Sequence, residues 1–352
     1  MADADSTAPL KNPVPGRAKT CFDIRPAAVQ PAADGRHLNP FPADRAIAFV
    51  IETGRVPGLD TPAFRVVSPD RPALPVLIAA PHGGRAYPEA LSERMRVPDA
   101  TKLRLEDRYV DRLAEEVANQ TGAVLIAANA PRAMLDLNRA PDDMDWTMVS
   151  GEKPAGKQHS LANRRARTGL GLVPRRISGI GEIWRDRLSS AELDDRIAAI
   201  HAPYHAAVAT ILRDIRTRWG AALLVDLHSM PPLRRRHPSD VTAEFVLGDR
   251  FGASCDPMIS ATAIGYLSGK DRPVAHNRPY AGGYVLDRHG RPSLDIHALQ
   301  VEVCRTLYLD RRGEGLSARM PMTARLLAGM VRALADELNR QQSGGRSAEA
   351  AE

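Results

Sequence analysis

Apolar residues recur along the chain in two rhythms. Leu193, Ile197, Ile200, Tyr204, Val208, Ile211 and Ile215 follow one another at steps of three and four, which places them on one face of a helix. Leu103, Val110, Leu113 and Val117 predict a second amphipathic helix; Leu326, Met330, Leu334 and Leu338, within Thr323 to Arg340, predict a third. Four short runs with β-branched content predict strands: Pro75 to Ala80, Ala123 to Ala127, Ala221 to Asp226, and Leu299 to Val303. Strands alternating with helices predict an α/β fold, a single three-layer domain with a mixed, largely parallel central sheet flanked by helices. Ligands of such sheets sit beyond the carboxyl ends of the strands, so the polar residues just after these runs are the first candidates for chemistry.

His82 follows the first run in Pro81-His82-Gly83-Gly84, where paired glycines let the backbone approach a ligand; the plain alternative is a tight turn with an incidental histidine. His228, in Asp226-Leu227-His228-Ser229-Met230, repeats the arrangement two residues beyond the expected strand. Two imidazoles at two strand ends suit zinc, and a catalytic zinc takes three protein ligands and leaves the fourth position to water. The third ligand is then sought among carboxylates. Glu106 and Asp107 lie inside the helix expected over Leu103 to Val117, and both flank its apolar stripe, so periodicity does not separate them.

Glu302 is the other acid of interest. Alternation puts Leu299, Val301 and Val303 on one strand face and Gln300, Glu302 and Cys304 on the other. A buried carboxylate there needs a partner, whereas an edge strand would leave it in solvent, and the pattern allows both. Asp136-Leu137-Asn138-Arg139 offers a guanidinium beside an amide, suited to gripping a carboxylate, though a lone surface arginine reads the same way. Tyr280-Ala281-Gly282-Gly283-Tyr284 reads as a glycine-hinged loop that closes on a ligand or simply turns. The chain has no GxSxG, GxGxxG, HExxH or CxxC, which removes the commonest serine-hydrolase, dinucleotide, zincin and zinc-clamp readings.

With 43% hydrophobic and 26% charged residues over 352 positions, the composition is that of a globular protein large enough for a substantial core. Three widely spaced cysteines form no disulfide framework, which favours a reducing, cytoplasmic setting. No secretory h-region or span-length apolar stretch is present, so no membrane association is expected. The net charge of +6 is mild and the arginine clusters lack interleaved aromatics, so nucleic acid is not an expected partner. Residues 1–40 and 341–352 have tail-like composition and are expected to be disordered, bounding a domain over 41–340.

Taken together, these segments resemble the N-formylglutamate amidohydrolase family, zinc-dependent hydrolases related in fold to carboxypeptidases and to aspartoacylase. The resemblance spans about 75–310. It is carried by Pro81-His82-Gly83-Gly84, Glu106-Asp107-Arg108-Tyr109-Val110-Asp111-Arg112-Leu113, Asp136-Leu137-Asn138-Arg139 and Asp226-Leu227-His228-Ser229-Met230. It continues through Pro279 to Tyr284, Arg288-His289-Gly290, and His297 to Glu302 with Tyr308. It implies a zinc carboxypeptidase-like fold with one Zn2+ on His82, Asp107 and His228, Asp107 being preferred to Glu106 because the family motif has aspartate at the second acidic position. It further implies Glu302 as general acid/base and Asn138 and Arg139 as holders of the substrate carboxylate, with Gly282, Gly283, Arg288 and His289 also at the substrate.

The implied substrate is a small anionic N-acyl amino acid, N-formyl-L-glutamate first. Another N-acyl amino acid or a small peptide is the alternative, and a non-catalytic binder of acidic ligands the third reading. A homo-oligomer is compatible with the sequence and not specified by it. The chain departs from the family pattern at Gly83, where Ser or Ala is frequent, in its first seventy residues, and in the Arg-rich segment Gly151 to Arg187, read as a lid or channel wall.

Overall fold

The computed structural model describes residues 47–151, 164–234, 237 and 241–349. The N-terminal tail expected over 1–40 and much of the Arg-rich segment lie outside the described residues. Eight strands build the main sheet: β1 (Ile47–Thr53), β2 (Phe64–Pro69), β3 (Val76–Ala80), β4 (Val124–Ala128), β5 (Ala222–Met230), β6 (Phe245–Gly248), β7 (Val274–His276) and β8 (Ile296–Cys304), in the spatial order β1-β2-β4-β3-β5-β8-β6-β7. The four central strands β4, β3, β5 and β8 run parallel. Antiparallel pairings of β2 with β4 and of β6 with β8 make the sheet mixed.

Alternating side chains divide between two cores. Leu77, Ala79, Leu224 and Ala298 join the core under the long helix α3 (Ala202–Trp219), while Ile78, Val225, Leu299 and Val301 face α2 (Val110–Thr121), α4 (Pro257–Ser268) and α6 (Met320–Glu349). A period of two on buried parallel strands therefore feeds helices on both faces, which is the three-layer arrangement. The stripe from Leu193 to Ile215 packs as its spacing predicts, with Leu193, Ile200, Tyr204, Val208 and Ile215 buried and Ile197 and Ile211 against the same core. Tyr204 meets Phe64 of β2 edge to face at 5.4 Å. The run enters α3 through a π-helical turn, Ile197–His201.

Three expectations are corrected and one open alternative is settled. The helix expected over Leu103 to Val117 is two helices, α1 (Pro98–Leu105) and α2, and Asp107 sits in the break between them. Periodicity did not show the interruption because Leu103 and Val110 remain seven residues apart on either side of it. The strand expected over Ala221 to Asp226 continues to Met230, so His228 lies within β5 rather than beyond it; nine registered pairs with β8 carry it through polar sequence. Glu302 is on an interior strand, between β5 and β6, not on an edge. Helix α6 extends through Gln341 to Glu349, where composition suggested a tail, and the Gln341 and Gln342 amides donate to Asp256 and Asp295.

No helix among the described residues is long and apolar enough to cross a membrane. Cys255 and Cys304 are buried free thiols.

Candidate active site

On the α3 side of β5 and β8, the apolar alternation gives way to Asp226 and His228 on one strand and Gln300 and Glu302 on the next. Parallel register pairs Asp226 with Gln300 and His228 with Glu302, so all four project from one end of one sheet face. His82 reaches the same place from the end of β3. Its turn is possible because neither following residue has a Cβ: one on Gly84 would lie 2.1 Å from the Ala130 carbonyl oxygen, and one on Gly83 would lie 2.7 Å from the Asp111 Cβ.

Asp107 is brought in by backbone and guanidinium together. Its N–H donates to His82 O at 3.0 Å. Arg305, just past β8, donates to the carbonyls of Glu106 and Leu103, to Ser229 Oγ at 3.2 Å, and to Asp107 Oδ1 at 3.3 Å. The choice between the two acids is resolved by this break: Glu106 turns to Arg108 Nη1 at 2.9 Å, while Asp107 faces the histidines.

His82, Asp107 and His228 are all buried, and one ligand atom of each lies within 4.8 Å of the other two. The Nδ1 atoms of His82 and His228 stand 3.4 Å and 3.0 Å from Asp107 Oδ2. Each ring turns its Nε2 outward to a buried carboxylate, His82 to Asp136 Oδ1 at 2.7 Å and His228 to Asp226 Oδ2 at 2.9 Å. A carboxylate accepts only, so each Nε2 donates outward. His228 Nδ1 likewise donates to Asp107 Oδ2, burial being outweighed by the Asp226 and Asp107 carboxylates, which raise its pKa well above the usual imidazole value. A metal ion bound there would take the place of that inner proton. His82 Nδ1 is buried with no hydrogen-bond partner among the described residues despite its approach to Asp107. Two imidazoles and a carboxylate, converging with their outer nitrogens fixed by acids, match the donor set and supporting shell of a three-ligand metal site with an open fourth position. The residues present therefore fit a divalent metal ion.

The electrostatics agree. Burial alone would raise the Asp107 carboxyl, yet His228 and His82 hold it well below the usual carboxylate range. Burial would likewise raise Asp136, but Arg132, whose Nε donates to it at 2.9 Å, holds it low. Glu302 differs: burial, helped by the charge of Asp107 and opposed by His228, pushes its carboxyl up to about 7. Gln300 Nε2 donates to Glu302 Oε1 at 3.0 Å. A carboxyl titrating near neutrality beside a metal-ligating constellation is suited to general acid and base work.

The remaining sequence candidates divide. Asn138 is a brace: its Oδ1 accepts from the Val285 N–H in α5 (Tyr284–His289) at 2.9 Å, and its N–H donates to Asp136 Oδ1. Gly283 fits against that amide, where a Cβ would lie 2.5 Å from Oδ1; Gly282 has φ +99°. Arg139 is half-buried, its Nε donating to Leu170 O at 2.9 Å and Nη1 to Asn138 O at 2.6 Å, while Nη2 has no hydrogen bond among the described residues. Arg288 is exposed beside Tyr284. His289 is buried with Nε2 committed to His205 Nδ1 at 2.9 Å. In the described parts of the Arg-rich segment, Leu172, Val173, Ile177 and Ile183 are buried in the core on the α3 side, while most of its arginines are exposed.

Sequence reasoning missed Arg132, Arg305, His201 and His205. Nothing in the spacing marks the arginines, but two histidines four apart beside the Ile200 and Tyr204 stripe were a visible signal. Burial pushes His205 down to about 2 and His289 to about 3, so both are neutral at physiological pH. An unfolded imidazole binds a proton below about 6.5, so the stability contributed by these two is complete above that value and is lost as pH falls toward the folded values. Lowering the pH from 7.5 to 5 should remove up to about 4 kcal/mol through the pair, at about 1.4 kcal/mol per pH unit per group. Urea unfolding of wild type and of the His205→Gln/His289→Gln double variant at both pH values checks this: the double variant should lose distinctly less, and equal losses contradict it.

The model of the N-formylglutamate amidohydrolase family matches residues 74–309. N-formylglutamate deformylase of Pseudomonas aeruginosa is 30% identical over 255 residues, covering 70% of this chain and 86% of that protein. The enzyme of the same name from Pseudomonas putida is 29% identical over 251 residues, covering 70% and 86%. The crystal structure of N-formylglutamate amidohydrolase from Ralstonia eutropha superposes with a TM-score of 0.70 at 32% identity, covering 79% of this chain and 99% of that one. The matched span contains every residue of the constellation just described, and the chain belongs to the N-formylglutamate amidohydrolase family, a hydrolase acting on an amide.

Proposed function

We propose that this chain hydrolyses N-formyl-L-glutamate to formate and L-glutamate with one zinc ion held by His82, Asp107 and His228 and with Glu302 as general acid/base. The observation that carries the reading is the convergence of two carboxylate-oriented imidazoles and Asp107 beside a buried glutamate. Bound there, zinc supplies Lewis acidity and brings the pKa of a water to roughly 7. Two neutral nitrogens and one carboxylate suit that borderline ion better than they suit magnesium or calcium, which favour all-oxygen sites.

Glu302 accepts a proton from the attacking water on Oε2, Oε1 being held by Gln300, and returns it to the departing amine nitrogen. Asp107 is held by Arg305, so the ligand set is in place before substrate arrives. Arg139, its Nε and Nη1 anchored on carbonyls, presents Nη2 to a substrate carboxylate, and exposed Arg288 is suited to the second carboxylate. Asn138, Gly282, Gly283 and His289 shape this wall without themselves gripping the ligand. A cytoplasmic setting accords with two buried free thiols.

Formate release from N-formyl-L-glutamate, followed as kcat/KM against pH, tests the reading. Glu302 must be ionised to act as base, so activity should fall on the acid side with unit slope. A divalent cation near Glu302 favours its ionised form, so the bend should lie below the value of about 7 that burial imposes without one. Absence of turnover at any pH with metal-loaded protein contradicts the substrate assignment; a flat acid side contradicts the role of Glu302.

A further inference from the structure

The segment that carries Arg139 is irregular chain, and the structure shows what holds it. Residues Asp136 to Ala140 belong to no helix or strand, although they are buried or nearly so. Buried carbonyls in such a segment need donors from elsewhere. Two of them are met by imidazoles from one helical run: His205 Nε2 lies 3.0 Å from Leu137 O, and His201 Nε2 lies 2.9 Å from Arg139 O. The histidines are four residues apart, about 6 Å along the helix axis, and so bracket Asn138 with two fixed donors. His201 closes the π-helical turn and His205 lies in α3.

Carbonyls only accept, so both Nε2 atoms carry protons. Buried and neutral, His205 then has a bare Nδ1, and the 2.9 Å contact to His289 Nε2 requires His289 to donate. Ring contacts join the group: His201 lies 4.3 Å from His205, His205 stacks on His289 at 5.2 Å, and Tyr284 meets His205 edge to face at 5.1 Å. This ties α5 to α3 through the Asn138 segment, whose amide also caps α5 at Val285. Other polar backbone groups of the segment are also committed: Asp136 N to Leu172 O, Arg139 N to Asp136 O, and Asn138 O to Arg139 Nη1.

We infer that His201 and His205 are positioning residues for substrate recognition, a pair of neutral imidazole donors that fix the Leu137 and Arg139 carbonyls and so set where the Arg139 guanidinium meets a carboxylate. They touch no reacting atom. The inference rests on the reading of Arg139 as a carboxylate anchor. Displacing the Nη2 contact by even about 1 Å is enough to matter for a positioned substrate.

The test measures carboxylate selectivity: kcat/KM for N-formyl-L-glutamate divided by that for whichever of its two monoamides is least affected by Arg139→Ala, the one lacking the carboxylate that Arg139 grips. A ratio within one preparation is insensitive to the fraction folded. At each histidine, glutamine keeps a donor near the Nε2 position, whereas asparagine, one methylene shorter, does not reach the carbonyl. His201→Asn and His205→Asn should each lower the selectivity on the order of tenfold, mainly through KM for the dicarboxylate, and His201→Gln and His205→Gln should hold it near wild type. Equal selectivity in the asparagine and glutamine variants overturns the inference while leaving Arg139 intact. If Arg139→Ala itself leaves both ratios unchanged, the anchor reading fails, and the inference with it.

Discussion

Replacing Glu302 by glutamine should cut kcat by about a thousandfold, within the 10²–10⁴ range that a positioned general acid/base contributes. The substitution is nearly isosteric, and the glutamine carbonyl still accepts from Gln300 Nε2. It removes only the ionisable group. Because Glu302 is buried, with its charge opposed by that of Asp107, the neutral amide should fold at least as stably as the parent. His82, Asp107 and His228 are untouched, so metal stoichiometry should match wild type. Formate release together with metal analysis on the same preparation checks both halves. Near wild-type turnover would move the proton-transfer role to another group. Lost metal would mean that Glu302 belongs to the ligand set instead.

Asp107→Ala should have an effect as large by a different route. It removes the one atom to which both inward-facing imidazole nitrogens converge, at 3.0 and 3.4 Å. It also leaves the Arg305 guanidinium without its carboxylate in a mostly buried position. Metal content of protein purified without added metal should drop to a small fraction of one per chain, turnover should drop with it, and unfolding should become easier by about 3 kcal/mol, the usual consequence of stranding a buried charge. Glu106→Gln is the matched control. Glu106 faces Arg108 across the break, so its metal content should stay at the wild-type level. If the two variants exchange behaviour, the ligand is Glu106.

These outcomes bear on how the fold came to be readable. The strand runs and the Leu193 to Ile215 stripe were legible because burial on both sheet faces leaves a strong periodic record. The outer strands β1, β2, β6 and β7 were not picked out by sequence: β6 and β7 are only four and three residues long, too short for a periodic signal. The break at Asp107 was illegible for a physical reason. What interrupts the helix is Arg305, nearly two hundred residues away, taking the Leu103 and Glu106 carbonyls, together with the His82 carbonyl holding the Asp107 N–H. A local period cannot record a tertiary hydrogen bond.

The site was legible in its first layer and not in its second. His228 and Glu302 stand at strand positions where polar residues are unexpected, and His82 follows directly on the end of β3, so they announce themselves. Asp136 and Asp226 lie in the quoted motifs, yet only the structure shows each carboxylate fixing the tautomer of an imidazole. Asn138 and His289, read from their motifs as substrate contacts, also support the wall: Asn138 Oδ1 accepts from the Val285 N–H while its Nδ2 lies 3.4 Å from Gln300 Oε1, and His289 Nε2 meets His205 Nδ1. Motif membership identifies which residues matter; only partners and distances separate a group that touches substrate from one that supports it.

The central claim is a metal-dependent deformylation at the His82, Asp107 and His228 site. The most direct measurement is formate and free amine release from N-formyl-L-glutamate by purified protein, before and after chelation and again after adding back one equivalent of zinc. The account predicts turnover that disappears with the chelator and returns with zinc at a stoichiometry of one per chain. Turnover that persists in protein shown to be metal-free would contradict it.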